Sequence, residues 1–157
     1  MRRSCKTLIV ATAVVLATLG VMSFASASTD NTTVLHLTGK VLQFNFLDLG
    51  KKGLTPGDQF TQADALVING KRVGSDGLAC TFTRVVGNFN QAQCVLTLRL
   101  PKGQITAQTL NSSTAKTFVF AITGGTGAYR DAGGYITSPV TQATTFPVTL
   151  FIDDLSS

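Results

Sequence analysis

Few side chains in this sequence could do chemistry, and none of them forms a recognised catalytic or metal-binding pattern. The chain has one histidine, His36, and all eight of its acidic residues are aspartates. His36 alternates with apolar neighbours and has no nucleophile motif nearby, so a structural imidazole is favoured over a general base or a metal ligand. Several aspartates stand beside glycines, where capping of turns explains them. We therefore expect no metal site and no cofactor.

The stretch Gly124-Gly125-Thr126-Gly127 invites comparison with a phosphate-binding loop. A Walker loop requires a lysine after its last glycine, where Ala128 stands. A dinucleotide fingerprint that begins at Gly125 would require a glycine where Arg130 stands. Glycines also permit tight turns, because they adopt backbone conformations that are closed to other residues. We interpret the stretch as a turn between two strands.

The N-terminal segment has the composition of an export signal. Basic residues precede an apolar run from Thr7 to Phe24, and Ala25-Ser26-Ala27 supplies a small-x-small cleavage site. Cleavage there would divide the chain into a signal peptide, residues 1–27, and one domain, residues 28–157. A retained membrane anchor is the alternative, but no basic stop-transfer flank follows the apolar run. We therefore expect a secreted, extracellular protein with no stable membrane anchor.

The charge of the domain is close to balanced. Three of the thirteen basic residues lie in the leader, so ten remain against eight aspartates and the net charge falls from +5 to +2. No cluster of lysine and arginine is longer than two residues. Nucleic acid is therefore not an expected partner.

The domain shows short segments rich in Val, Ile, Thr and Phe, separated by Gly, Asn, Asp and Pro. This pattern predicts an all-β fold, either an up-and-down barrel or a sandwich. A closed barrel suits strands that carry few protective charges, because a barrel has no free edge. The eight predicted strands are Val34–Phe46, Gln59–Ile68, Arg72–Val86, Gln91–Leu100, Gln104–Leu110, Thr117–Thr123, Tyr129–Thr137 and Thr145–Ile152.

A hairpin between the third and fourth strands would bring two cysteines together. If the chain turns around Gly87, Cys80 faces Cys94 and Phe82 faces Ala92 on an apolar side, whereas Thr81 faces Gln93 and Thr83 faces Gln91 on a polar side. Directly opposed residues are close enough for a disulfide, which an even cysteine count in an exported domain favours. Two unpaired buried thiols are the alternative.

Four segments resemble the barrels of allene oxide cyclases and dirigent proteins. The most specific is Phe118–Gly134, in which an apolar strand runs into a GG[ST]G turn followed by an aromatic residue and a further glycine. The other three segments that carry the resemblance are Arg72–Cys80, Gly57–Phe60 and Gln43–Gly50. The resemblance spans Val34–Ile152 and implies an eight-stranded antiparallel β-barrel with an apolar cavity, often in trimers.

The resemblance also implies where a ligand would lie. Gln43 stands where the cyclases have a glutamate that steers charge during ring closure, and Asn45 stands where dirigent proteins place an aspartate. Cys80 corresponds to a cavity cysteine of the cyclases. The expected ligand is a small hydrophobic molecule. The expected assembly is a homo-trimer or another homo-oligomer. The candidate cavity residues are Gln43, Asn45, Phe82, Phe118 and Phe120, with Cys80 and Cys94 as the disulfide.

Three functions follow from these expectations. The first is a cofactor-free isomerase that binds a small hydrophobic molecule and steers its cyclisation or coupling. The second is a non-enzymatic carrier of such a ligand, because a fold does not by itself imply the activity of its relatives. The third is a structural barrel with a filled interior that acts through its surface.

Overall fold

The computed structural model describes residues 32–154. The predicted signal peptide lies outside the described residues. Among residues 32–154, no helix is both long and apolar enough to cross a membrane. The eight strands are β1 (Thr32–Leu47), β2 (Gln59–Ile68), β3 (Lys71–Val86), β4 (Phe89–Leu100), β5 (Gly103–Ser112), β6 (Thr117–Gly125), β7 (Ala132–Pro139) and β8 (Thr145–Asp154).

These strands form a closed antiparallel barrel in sequence order, and β8 pairs with β1 to complete it. The predicted all-β fold, the number of strands and the barrel architecture are confirmed. Alternate residues of each strand point inward, as the pleat requires. The fully buried side chains that fill the middle of the barrel include Leu66, Leu98, Ile105, Ile136 and Leu150.

The β3–β4 hairpin has the predicted register near the cysteines but not at its tip. Cys80 pairs with Cys94 and Phe82 pairs with Ala92, and the two cysteines form a disulfide inside the barrel. A bulge follows Phe82, so Gln91 pairs with Arg84 instead of Thr83. The expected Thr83–Gln91 pair is therefore wrong, because the bulge inserts one extra residue into β3.

A second bulge divides β1 into two halves. The pairing with β2 shifts between Val41 and Gln43. Leu35 and Leu37 belong to the core on one side of this bulge, whereas Phe44 points inward on the other side. The inward-facing positions therefore change from odd-numbered to even-numbered residues along a single strand.

The glycine-rich stretch lies at the predicted turn, but Gly124 and Gly125 extend β6 and only Thr126 and Gly127 belong to the connection with β7. This connection contains one 3-10 turn, Gly127–Tyr129, which Gly127 enters with a φ of 63°. This φ lies in the left-handed region, which glycine adopts without strain. The predicted start of the seventh strand at Tyr129 is wrong, because Tyr129 belongs to that turn and β7 begins at Ala132.

Candidate functional site

A cavity of about 280 Å³ lies at the end of the barrel where β1 ends and the β7–β8 connection crosses. Its walls are mainly apolar and include five phenylalanines, and its size suits one small molecule. We call it the acid-pair cavity. Its lining consists of Phe44, Phe60, Gln62, Asp64, Asp76, Leu78, Leu96, Phe118, Phe120, Ile136, Ser138, Pro139, Val140, Thr141, Gln142, Phe146 and Val148.

Two carboxyl groups lie opposite each other in this cavity. Asp64 on β2 pairs directly with Asp76 on β3, and both side chains line the cavity. Asp64 is only 3% exposed. The amide of Gln62 donates hydrogen bonds to Asp64 Oδ1 and Oδ2, at 3.1 and 2.9 Å. By contrast, Asp76 Oδ1 is buried and has no hydrogen-bond partner among the described residues.

The surroundings of Asp76 favour its neutral, protonated form. Burial raises the pKa of Asp76 to about 8, and the neighbouring Asp64 carboxyl contributes to the rise through charge repulsion and a side-chain hydrogen bond. Low-dielectric surroundings disfavour a second negative charge so close to the first. At neutral pH Asp76, which with Asp64 forms the carboxyl pair, therefore keeps its proton.

A carboxylic acid beside a carboxylate can give a proton to one atom of a bound molecule and take a proton from another. General acid–base groups work best when their pKa lies near the operating pH, and the raised pKa of Asp76 meets this condition. The orphan oxygen Asp76 Oδ1 is free to accept a hydrogen bond from a ligand. The side chains of Asp64 and Asp76 could therefore both orient a bound molecule and exchange protons with it.

Three of the predicted cavity residues are phenylalanines, and the structure brings two of them into the lining. Phe118 and Phe120 both line the acid-pair cavity, and their rings stack with centroids 5.6 Å apart. Phe82 does not line it. Its ring instead packs against Phe60 at 5.9 Å and Phe46 at 6.3 Å, so it supports the wall from behind.

Gln43 and Asn45 are the two predicted cavity residues on β1. Both residues are exposed and neither lines the acid-pair cavity. The reason is the bulge in β1, after which Phe44 points inward and its two neighbours point outward. The amide that does reach the carboxyl pair is that of Gln62 on the adjacent strand.

The connection between β1 and β2 is held by one buried carboxylate. Asp58 is fully buried and accepts hydrogen bonds from the N–H groups of Thr55 and Leu49, at 2.6 and 2.7 Å. These bonds lower the pKa of Asp58 below its ordinary value, and the bond from Thr55 contributes most. Asp58 thus anchors the loop that adjoins the acid-pair cavity, and its hydrogen bonds assign it a structural role.

A larger hollow of about 640 Å³ lies at the opposite end of the barrel. It shares no lining residue with the acid-pair cavity, and its charged residues are Lys102, Arg130, Asp131 and Asp153. Asp153 already accepts a hydrogen bond from the Thr32 hydroxyl at 2.7 Å. Asp76, whose pKa is raised to about 8, lies in the smaller cavity, which makes that cavity the candidate site.

The remaining chemical candidates of the sequence lie elsewhere. His36 is exposed, with its Nδ1 3.4 Å from the Thr149 hydroxyl. Cys80 and Cys94 are joined in the disulfide and do not line the acid-pair cavity. Within residues 32–154, no three side chains of the metal-binding types come together as a metal site requires.

Asp64, Asp76 and Gln62 are the site residues that sequence reasoning missed. The available signal was the position of Asp64 in a predicted strand, in step with Phe60 and Leu66 on the apolar side. A carboxylate at an inward position of a strand is costly and rarely accidental.

The fold and the matched sequence define the class of protein. The chain belongs to the family described as the allene oxide cyclase barrel-like domain, whose family model matches residues 31–149. This confirms the resemblance seen in the sequence. Comparison with curated protein sequences finds no significant match.

Solved structures share the same barrel. Pyocyanin demethylase is 36% identical, with a TM-score of 0.71 over 76% of this chain and 99% of that chain. The Diels Alderase AbmU from Streptomyces koyangensis is 17% identical, with a TM-score of 0.65 over 85% and 73% of the two chains. The pterocarpan synthase dirigent protein GePTS1 is 19% identical, with a TM-score of 0.59 over 91% and 98%. The last two show similarity of fold alone.

Proposed function

We propose that this protein is a secreted isomerase that binds a small aromatic molecule in the acid-pair cavity and moves protons on it with Asp64 and Asp76. The observation that carries the proposal is the buried carboxyl pair at the wall of an aromatic cavity. Asp76 donates its proton to the bound molecule while Asp64 accepts one from it. The pair as a whole then keeps the same number of protons, and no electrons are transferred.

The aromatic walls support a planar ligand. Five phenylalanines line the cavity, and stacked or tilted rings hold a flat molecule more specifically than aliphatic side chains would. A relative at 36% identity acts on pyocyanin, a small fused-ring aromatic compound. Proton transfer at a fixed position of such a ring system directs tautomerisation or ring closure, which agrees with the cyclising and coupling roles expected from the sequence.

The test uses the exported protein, purified after expression of the full chain, with pyocyanin and related phenazines as probes. Binding is followed by absorbance and conversion by chromatography with mass detection. We expect Asp76→Asn to retain binding but to lose conversion by about 100-fold or more, the usual contribution of a general acid. Asp131→Asn, an exposed aspartate at the other end of the barrel, is the matched control. Equal conversion by the wild type and Asp76→Asn would contradict the proposal.

The second candidate function is a carrier that binds the same class of ligand without converting it. It is favoured by Gln62, whose amide already occupies both oxygens of Asp64. In that case only Asp76 Oδ1 is left to orient the ligand. Tight binding of the probes with no product from the wild-type protein supports the carrier over the isomerase.

A further inference from the structure

The charge of the acid-pair cavity is negative and has no counter-charge from the protein. Among the described residues that line it, Asp64 and Asp76 are the only titratable ones, and none is Lys, Arg or His. The residues paired with them on the outer neighbouring strands are Val41 on β1 and Leu98 on β4. Among the described residues, Gln62 is the one side chain that hydrogen-bonds to Asp64, and no cationic side chain lines the cavity.

A buried carboxylate without a cationic partner is unusual, because burial of an unpaired charge is costly. Gln62 offsets part of this cost at Asp64, but Asp76 Oδ1 has no donor within the described chain. A ligand that carries positive charge would supply the missing partner. A neutral hydrocarbon of the same shape would leave the orphan oxygen unpaired.

The phenylalanines add a second preference for positive charge. Phe44 and Phe60 form one tilted pair with centroids 5.9 Å apart, and Phe118 and Phe120 form a stacked pair. The face of an aromatic ring attracts a cation through its quadrupole, most strongly where water is excluded. Aromatic faces together with a carboxylate are the usual means by which proteins recognise organic cations that have no N–H group.

We propose that the acid-pair cavity selects planar organic cations over neutral molecules of the same shape, and that the bound cation displaces the proton held by Asp64 and Asp76. This proposal rests on the ligand-binding role proposed above and names the class of ligand. When a cation without a basic atom binds, the O–H bond of Asp76 breaks, the proton passes to solvent and the carboxylate pairs with the cation, whereas a substrate with a basic atom receives that proton instead. Charge is conserved, since one positive charge enters the cavity and one leaves it.

The pH dependence follows from this exchange. A cation beside Asp76 lowers the pKa of that carboxyl from its value of about 8 in the free protein. By linkage, affinity for the cation rises as the pH approaches 8 and is constant at higher pH, where the free pair has already lost its proton. A neutral ligand shows no such rise.

The experiment compares N-methylquinolinium with 1-methylnaphthalene, which has the same shape and no charge. Dissociation constants are measured by equilibrium dialysis, and proton release by calorimetry in two buffers of different ionisation enthalpy. We expect the cation to bind about tenfold more tightly or better, from the ring and carboxylate contributions together. Proton release is expected with the cation and not with the hydrocarbon.

Two variants separate the charge of the cavity from its proton. Asp76→Asn keeps the charge of Asp64 and should keep the preference for the cation while abolishing proton release and the pH dependence. The double variant Asp64→Asn/Asp76→Asn should lose the carboxylate contribution to the preference and keep only the contribution of the rings. Circular dichroism checks that each variant folds, and the wild-type comparison still decides the question if the double variant does not fold.

The outcomes distinguish this inference from the proposed function. Equal affinity of the wild type for both probes would overturn the cation preference and leave a ligand-binding cavity in place. Failure of both probes and of the phenazines to bind would overturn the inference and the proposed function together. Preference for the cation without proton release would overturn the proton displacement.

Discussion

Asp64 on β2 and Asp76 on β3 are direct cross-strand partners, and both side chains line the same cavity. Two like charges at such paired positions destabilise a sheet, and burial makes the repulsion stronger. The pair is tolerated because Asp76 holds a proton at neutral pH, as its pKa of about 8 indicates. A proton retained for this reason is available for exchange with a ligand.

Substitution of Asp76 should change the pH dependence of stability. An aspartate in the unfolded chain loses its proton near pH 4, whereas folded Asp76 keeps its proton up to about pH 8. The contribution of Asp76 to the free energy of unfolding is therefore greatest below about pH 4. It decreases as the pH rises to about 8, by at most about 1.4 kcal/mol per pH unit. Asparagine resembles the protonated carboxyl, so Asp76→Asn should melt above the wild type, and by more at pH 8 than at pH 5. A difference that is equal at both pH values would argue against the shared proton.

Substitution of Asp58 should act in the opposite direction. The pKa of Asp58 is lowered by the N–H groups of Thr55 and Leu49, so its contribution is present above about pH 4 and is lost as the pH falls. An asparagine at this position would offer one acceptor oxygen to donors that now use two. We expect Asp58→Asn to lower the melting temperature by several degrees at pH 7, with a smaller difference at pH 3. Unchanged melting at pH 7 would show that the loop does not depend on Asp58.

Filling the acid-pair cavity should abolish ligand binding without unfolding the barrel. Ser138 and Ala132 lie on the same strand, β7, but Ser138 lines the acid-pair cavity and Ala132 lines the hollow at the other end. We expect Ser138→Trp to weaken binding of phenazine probes by at least about tenfold, a loss of about 1.4 kcal/mol. Ala132→Trp should leave binding unchanged. Loss of binding in both variants, or only in Ala132→Trp, would place the ligand elsewhere.

The disulfide should stabilise the barrel without taking part in binding. Cys80 and Cys94 are bonded across β3 and β4 and lie outside the cavity lining. A bridge that closes a loop of this size stabilises a protein by about 3 kcal/mol, mainly by constraining the unfolded chain. Cys80→Ala/Cys94→Ala should therefore unfold at lower denaturant concentration and still bind phenazine probes. A loss of binding in the folded double variant would give the cysteines a direct role at the site.

Much of the fold is encoded in local sequence and can be predicted from it. Hairpin turns such as Asn69-Gly70 and Gly87-Asn88 stand between segments that alternate apolar and polar residues. A turn centred on Gly87 predicts that Cys80 faces Cys94, and the bulge after Phe82 produces this pairing although Val86 and Phe89 are the pair at the observed tip. Phe118 and Phe120, two of the predicted cavity residues, occupy inward positions of one regular strand and line the acid-pair cavity.

The site is harder to predict because two bulges decide which residues face inward. A regular β2–β3 hairpin around Asn69-Gly70 would pair Asp64 with Ser75, but the bulge between Leu66 and Val67 moves Asp76 into that place. The bulge in β1 likewise turns Gln43 outward. A single inserted residue exchanges the two faces of a strand, and hydrophobic alternation alone does not locate it.

The carboxyl pair is tested most directly by a pH titration of the side-chain carboxyl carbon of Asp76, followed by carbon-13 NMR on the free protein. We predict that this carbon titrates near pH 8 and that its midpoint falls when N-methylquinolinium is added. A midpoint near pH 4, unchanged by the cation, would show that the carboxyl pair holds no proton at neutral pH. Both the proposed proton transfer and the proton displacement would then be excluded.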